Sequence, residues 1–205
     1  MELVSFFQSG GPFMYPILVV FGLGLAIALE RFFVLTAIAG KTRNVWNQLT
    51  PMLKAQDFER AETLLGKHKT PLAHVLQYGL ARVRRSGSRD AVESAMEEGV
   101  MEVMPQLETR THYLATLANI ATLLGLLGTI IGLIQAFTAV ASADPAEKAD
   151  LLSASISVAM NTTAFGLTAA IPLILIHSLL ATKTARLVEN IEMATVKCLN
   201  LVLED

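Results

Sequence analysis

The stretch ATLLGLLGTIIGLIQAFTAVASADPAEKADLLSASISVAMNTTAFGLTAAIPLIL, Ala121 to Leu175, decides the fold. It sits inside two charge-free runs. No Lys, Arg, Asp or Glu occurs from Thr111 to Ala143, and none from Leu151 to Thr182. Each run exceeds the ~20 apolar residues that cross a ~30 Å hydrocarbon core. The segment between them, Asp144–Asp150, holds three acids and one base and is too short to form a domain. Two spans joined this tightly must form an antiparallel hairpin.

A third charge-free run extends from Leu3 to Leu29. It begins Met-Glu, lacks a basic leader and is followed by no small-x-small cleavage site, so it reads as a retained span. Its working part is Pro12 to Ile38, with Glu30 and Arg31 near one interface. The chain of 205 residues is 53% hydrophobic, with a mean hydropathy of +0.50 and a formal net charge of −2. Where the charges sit matters more than their sum. Lys41 to Arg110 carries eleven of the sixteen Lys and Arg, and only Lys148 falls on the opposite side. By the positive-inside rule the N-terminus is periplasmic and the C-terminus cytoplasmic. The single Cys198 then lies in a reducing compartment and belongs to no disulfide framework.

The expected class is an all-α membrane protein of a bacterial inner membrane, with three transmembrane helices, two of them extended into the cytoplasm. The expected order is a periplasmic interfacial helix (1–11), transmembrane helix 1 (12–38), a cytoplasmic helical region (39–111), transmembrane helix 2 (112–143), a periplasmic loop (144–150), transmembrane helix 3 (151–182) and a cytoplasmic C-terminal helix (183–205). Leu3–Ser9 reads as an amphipathic surface helix ended by Gly10-Gly11-Pro12. In the cytoplasmic region Val45–Leu53 predicts a short helix broken at Pro51. A second helix begins at Asp57 with Phe58, Ala61, Leu64 and Leu65 on one face, and a third starts near Pro71 and runs to Arg85. Ser86-Gly87-Ser88 breaks the chain before a long helix from Arg89 that is expected to pass Pro105 straight into the second span. Beyond Thr182, Leu187, Ile191, Ala194 and Cys198 or Leu199 keep a helical stripe. Long helices with such stripes need partners, which favours an oligomer.

No catalytic constellation emerges, and the chain is not expected to be an enzyme. His68, His74, His112 and His177 have no metal-ligand spacing; there is no phosphate-binding Gly loop, no Gly-x-Ser-x-Gly and no paired-carboxylate pocket, so no metal and no cofactor is predicted. Arg82, Arg84, Arg85 and Arg89 read as a solvated helix end rather than a nucleic-acid site. Within the spans, polar side chains recur about every seven residues, Thr122 with Thr129 and Ser155 with Thr162. A face pointing at lipid gains nothing from hydroxyls, so this face should meet another helix or a hydrated path. Packing is the plainer role for any one Thr. Thr129, Thr162 and Thr163 together with Asn161 point to the lining of an ion path. No buried acid or base is expected in the spans, so a second protein would have to supply the ion-carrying group.

Several segments resemble the MotA/TolQ/ExbB proton-channel family, closest to its three-span ExbB and TolQ branch. They are Gly-Gly-Pro-Phe-Met-Tyr-Pro-Ile-Leu (10–18), Leu-Glu-Arg (29–31), Asp-Phe-Glu-Arg-Ala-Glu (57–62), and above all LLGLLGTIIGLI (123–134) and ISVAMNTTAFGLTAAIP (156–172). The resemblance implies a pentamer around two single-span partners of the ExbD/TolR type. The partner's transmembrane Asp would carry the ion, and its rotation would be passed to a TonB- or TolA-like protein. Thr129 and Thr163 match the family's pore-facing threonines, with Thr162 and Asn161 in the same polar ring. The partner Asp, once neutralised, would leave the ring at low desolvation cost, whereas its charged form would be held by hydroxyls and water. One position departs: Val158 stands where the ExbB pattern has Glu. The Thr162-Thr163 doublet leaves a sodium-driven motor as an alternative to protons. A non-conducting scaffold is the rival outside ion transport, and a solute transporter lacks any repeat or broken helix to support it.

Overall fold

The computed structural model describes Gly10–Ser86 and Ser88–Leu203, except the side chain of Ser86. These residues form six helices: α1 (Met14–Lys54), α2 (Phe58–Lys67), α3 (Pro71–Ser86), α4 (Arg89–Glu108), α5 (Thr111–Ser142) and α6 (Lys148–Leu203). No strand occurs among them. Three stretches are long and apolar enough to cross a membrane: Met14–Lys54, Arg89–Ser142, which takes in α4 and α5, and Lys148–Leu203. The surface helix expected over Leu3–Ser9 lies outside the described residues.

The long helices share one packing code. On α5 the buried positions Thr111, Leu114, Ala118, Ala121, Gly125 and Gly128 are spaced alternately three and four, with Ala136 buried beyond them. On α6 Leu173, Leu180, Thr184, Leu187, Ile191, Ala194 and Cys198 keep the same register. On α1 Met14, Ile17, Ala28, Arg31, Leu35, Thr42, Val45 and Leu49 do so. A repeat of 3.5 residues keeps one stripe facing a neighbour only if the helices wind in a left-handed supercoil. The buried stripe of α5 is made of small residues, while Leu123, Leu126, Ile130, Ile134 and Phe137 are exposed. A soluble helix does the reverse, with its large apolar side chains inside. Small residues inside and large ones outside suit a lipid solvent, where close backbone approach drives association.

The chain divides into two compact units at Leu29/Glu30, Thr109/Arg110 and Leu179/Leu180. The first contains the hairpin of α5 and the opening half of α6, joined by Ala143–Glu147, with the start of α1. The second contains the rest of α1 and α6 with α2, α3 and α4. In it, α3 and α4 pack through Val75, Leu76, Met96 and Gly99, where a Cβ on Gly99 would lie 3.1 Å from the Val75 Cα. Asp57 caps α2 by accepting from the Arg60 amide at 3.2 Å, as its sequence position requires.

Three sequence expectations need correction. Pro51 does not break the chain into a separate short helix: α1 continues through it to Lys54. Leu49 and Leu53 are fully buried on either side of Pro51, and their burial, about 1.5–3 kcal/mol each, offsets the roughly 3 kcal/mol of a helical proline. The helix stops instead at Gln56, which adopts a left-handed φ of 54°; Gln56 N bonds Leu53 O at 3.0 Å and Asp57 N bonds Met52 O at 3.0 Å. That pairing is a Schellman C-cap. Secondly, α4 passes Pro105 but does not run straight into α5. It ends at Glu108, and Arg110 takes a left-handed φ of 64°. The Thr109 amide still makes the helical bond to the Pro105 carbonyl at 3.0 Å, with its hydroxyl on the same oxygen at 2.7 Å, so the interruption lies at Arg110, whose left-handed φ a right-handed helix cannot include. Thirdly, Arg31, placed inside the expected first span, is buried, because it falls on the α1 stripe between Ala28 and Leu35; its Nε has no partner among the described residues.

Candidate ion-pathway site

The geometry of the hairpin follows from its glycines. A Cβ on Gly125 would lie 3.3 Å from the Cα atoms of both Thr163 and Gly166, and one on Gly166 would lie 2.8 Å from the Ala121 carbonyl oxygen. Here α5 and α6 touch backbone to backbone. Further along, Gly128 faces Thr162, with its notional Cβ 2.4 Å from Thr162 Cγ2, and Gly132 faces Ala159. This antiparallel register brings Thr129 opposite Asn161. Thr129, Asn161, Thr162 and Thr163, picked from the sequence by spacing and resemblance, therefore fall in one layer of the hairpin.

Within that layer their surroundings differ. Thr162 is buried and its hydroxyl reaches the Gly10 carbonyl at 2.5 Å and the Val158 carbonyl at 2.9 Å. Thr163 is half-buried and donates across the hairpin to the Gly125 carbonyl at 2.8 Å. Thr129 is half-buried and donates to the Leu126 carbonyl at 2.6 Å within its own helix. Asn161 is half-buried. A carbonyl carries no proton, so in each contact the hydroxyl is the donor, and what it has left for a visitor is lone pairs. Thr122, expected on the same face as Thr129, is exposed and bonds back to the Ala118 carbonyl at 3.1 Å.

Sequence reasoning missed the second partner of Thr162. Gly10-Gly11-Pro12 read as a helix stop, yet it forms a turn against the layer. Gly11 has φ +73°, and a Cβ there would approach Val158 Cγ1 to 3.2 Å. Three small or imino residues in a row were the available signal. They suit a backbone pressed against another helix as well as a breaker. Among the described residues no group of His, Cys, Asp and Glu could hold a metal. The layer is polar, small and without a formal charge of its own.

Residues 67–193, more than half of the chain's length, match the MotA/TolQ/ExbB proton channel family. The chain belongs to that family. Over 203 residues it is 29% identical to the biopolymer transport protein exbB1 of Vibrio cholerae, covering 96% of this chain and 86% of that one. It is 27% identical over 176 residues to the biopolymer transport protein ExbB of Pseudomonas putida, covering 82% of this chain and 53% of the relative, so it spans about half of that protein. Over 87 residues it is 34% identical to the Tol-Pal system protein TolQ of Haemophilus influenzae, covering 42% of this chain and 38% of the other. With three apolar helices, membership makes this a multi-pass inner-membrane protein of the ExbB/TolQ kind.

Proposed function

We propose that this chain is the ion-channel subunit of an ExbB-ExbD/TolQ-TolR-type motor, using the proton motive force to energise TonB- or TolA-dependent processes such as nutrient import. In this reading five copies surround two single-span partners, with the N-terminus periplasmic and the long helical extensions cytoplasmic. The observation that carries it is the layer of Thr129, Asn161 and Thr163, polar and half-buried, in a hairpin with no charged residue across either span. A layer without an acid is suited to serve one that another chain brings.

The hydroxyl geometry sharpens the mechanism. Thr129 and Thr163 spend their protons on carbonyls of their own chain. They therefore meet a partner's carboxyl group as acceptors, which, against the expectation that hydroxyls hold its charged form, favours its protonated form or an accompanying cation over a bare carboxylate. A partner Asp would be loaded with a proton beside this layer, move on as a neutral group at low desolvation cost, and ionise where water replaces the hydroxyls. Thr162 plays a different part: buried against Gly10, it is a positioning residue that fixes the N-terminal turn on the hairpin. The same lone pairs could serve Na⁺, which keeps a sodium-driven motor as the second reading.

Thr163→Val removes the acceptor while keeping shape. It should abolish nutrient uptake that depends on the motor, while the partner still co-purifies. Thr163→Ser should keep most of the uptake. Full uptake by Thr163→Val would support a non-conducting scaffold instead.

A further inference from the structure

The second unit contains a cleft that the ion path does not use. It has a volume of about 440 Å³ and is bounded by α1, α6 and Leu72 of α3. Its polar lining is Thr42, Arg43, Trp46 and Asn47 from α1 with Asn190 and Lys197 from α6. No carboxylate is among the described residues that line it, and neither Arg43 nor Lys197 forms an ion pair with any described residue. Two uncompensated cations and two amides around one cleft make a place for an anion.

Thr42 supplies the independent sign. Helical threonines in this chain commonly turn the hydroxyl back to the carbonyl four residues earlier, as Thr36, Thr50, Thr63 and Thr138 do. Thr42 does not. It is only 6% exposed, lines the cleft, and its Oγ1 has no hydrogen-bond partner. A buried hydroxyl without a partner is unfavourable by about 1–3 kcal/mol, a cost that turning the Thr42 hydroxyl onto a bound oxygen would relieve.

We infer that this cleft binds a phosphate-bearing anion, with Arg43 and Lys197 holding the charge, Thr42 donating to a phosphate oxygen and the Trp46 ring covering the organic part. Thr42 and Arg43 follow the expected end of the first span at Ile38 by four and five residues. At ~1.5 Å per residue that is about 6–8 Å, the depth of lipid headgroups, whereas Lys197, fifteen residues past the expected end of the third span at Thr182, stands about 22 Å out. The phosphate could thus belong to an anionic phospholipid or to a small soluble phosphate ester.

Trp46 is the only tryptophan of the chain, so its emission reports on this cleft alone. The full-length protein in phosphate-free maltoside micelles is titrated with dihexanoyl phosphatidylglycerol, dihexanoyl phosphatidylcholine and glycerol 1-phosphate. A saturable change with phosphatidylglycerol only supports a lipid source; one with glycerol 1-phosphate as well supports a soluble ester. Arg43→Gln and Lys197→Gln, both at exposed positions, should each weaken binding roughly tenfold. Thr42→Val should weaken it several-fold without lowering the melting temperature. The inference is overturned if phosphatidylcholine matches phosphatidylglycerol, if no phosphate compound saturates, or if the double Gln variant titrates like the parent.

Discussion

At the scale of single residues, the hairpin depends on places where no side chain fits. A Cβ on Gly166 would sit 2.8 Å from the Ala121 carbonyl oxygen and 2.9 Å from Gly125 Cα, both backbone atoms of the facing helix. Backbone cannot step aside as a flexible side chain can, so Gly166→Ala must push the helices apart. It should lose about 1–3 kcal/mol of stability, seen as a lower melting temperature in detergent. Gly40, with nothing within 4 Å of its notional Cβ, is the matched control. There Ala should be neutral or stabilising by up to about 1 kcal/mol, since a glycine inside a helix is costly in entropy. Cys198 makes a second residue-scale case. Buried on the α6 stripe, its thiol is pushed up to about 12 by desolvation, so at pH 8 it holds almost no thiolate. Iodoacetamide at pH 8 should leave Cys198 unmodified in the folded protein and modify it once the protein is denatured; fast labelling of the folded form would contradict its burial.

At the scale of elements, α3 and α4 are joined by a small polar cluster. Tyr78 donates to Glu102 Oε2 at 2.8 Å, and His74 Nε2 lies 3.2 Å from the same oxygen. The Tyr78 hydroxyl, and then His74, hold the Glu102 carboxyl below its ordinary value near 4.5, while Glu102 raises the Tyr78 phenol. A depressed carboxyl contributes stability that is present above its unfolded value and is lost as pH falls through the folded one. Glu102→Gln should therefore speed amide exchange in α3 and α4 at pH 7, and the difference from the parent should close as pH falls below the ordinary carboxyl value near 4.5 and through the lower folded one. The elements themselves were largely legible. A helix opening at Asp57, Pro71 near a start, a long helix from Arg89 and the Leu187–Leu199 stripe all stand in the structure where local chemistry puts them. What the sequence hid was decided by burial. Pro51 looked like a stop until Leu53 proved to be core, and the three-four register buries Arg31 between Ala28 and Leu35. Thr162 and Thr163 were visible as a polar doublet, but a difference of one residue sends one hydroxyl to Gly10 and the other to Gly125, which periodicity alone could not assign.

At the scale of the whole molecule, small residues face inward and large apolar ones outward along α5, and the polar layer it shares with α6 carries no charge. A single copy with that design has neither a soluble exterior nor an ion carrier. Membership of the MotA/TolQ/ExbB proton channel family supports the reading that other chains complete it. The most direct test is passive ion flux in liposomes holding this chain together with the single-span partner proposed for it, followed with an internal pH dye under an imposed potential. The account predicts proton uptake that requires the partner's transmembrane carboxylate and falls at least tenfold in Thr163→Val. Uptake unchanged by Thr163→Val, or equal in liposomes that lack the partner, would contradict it.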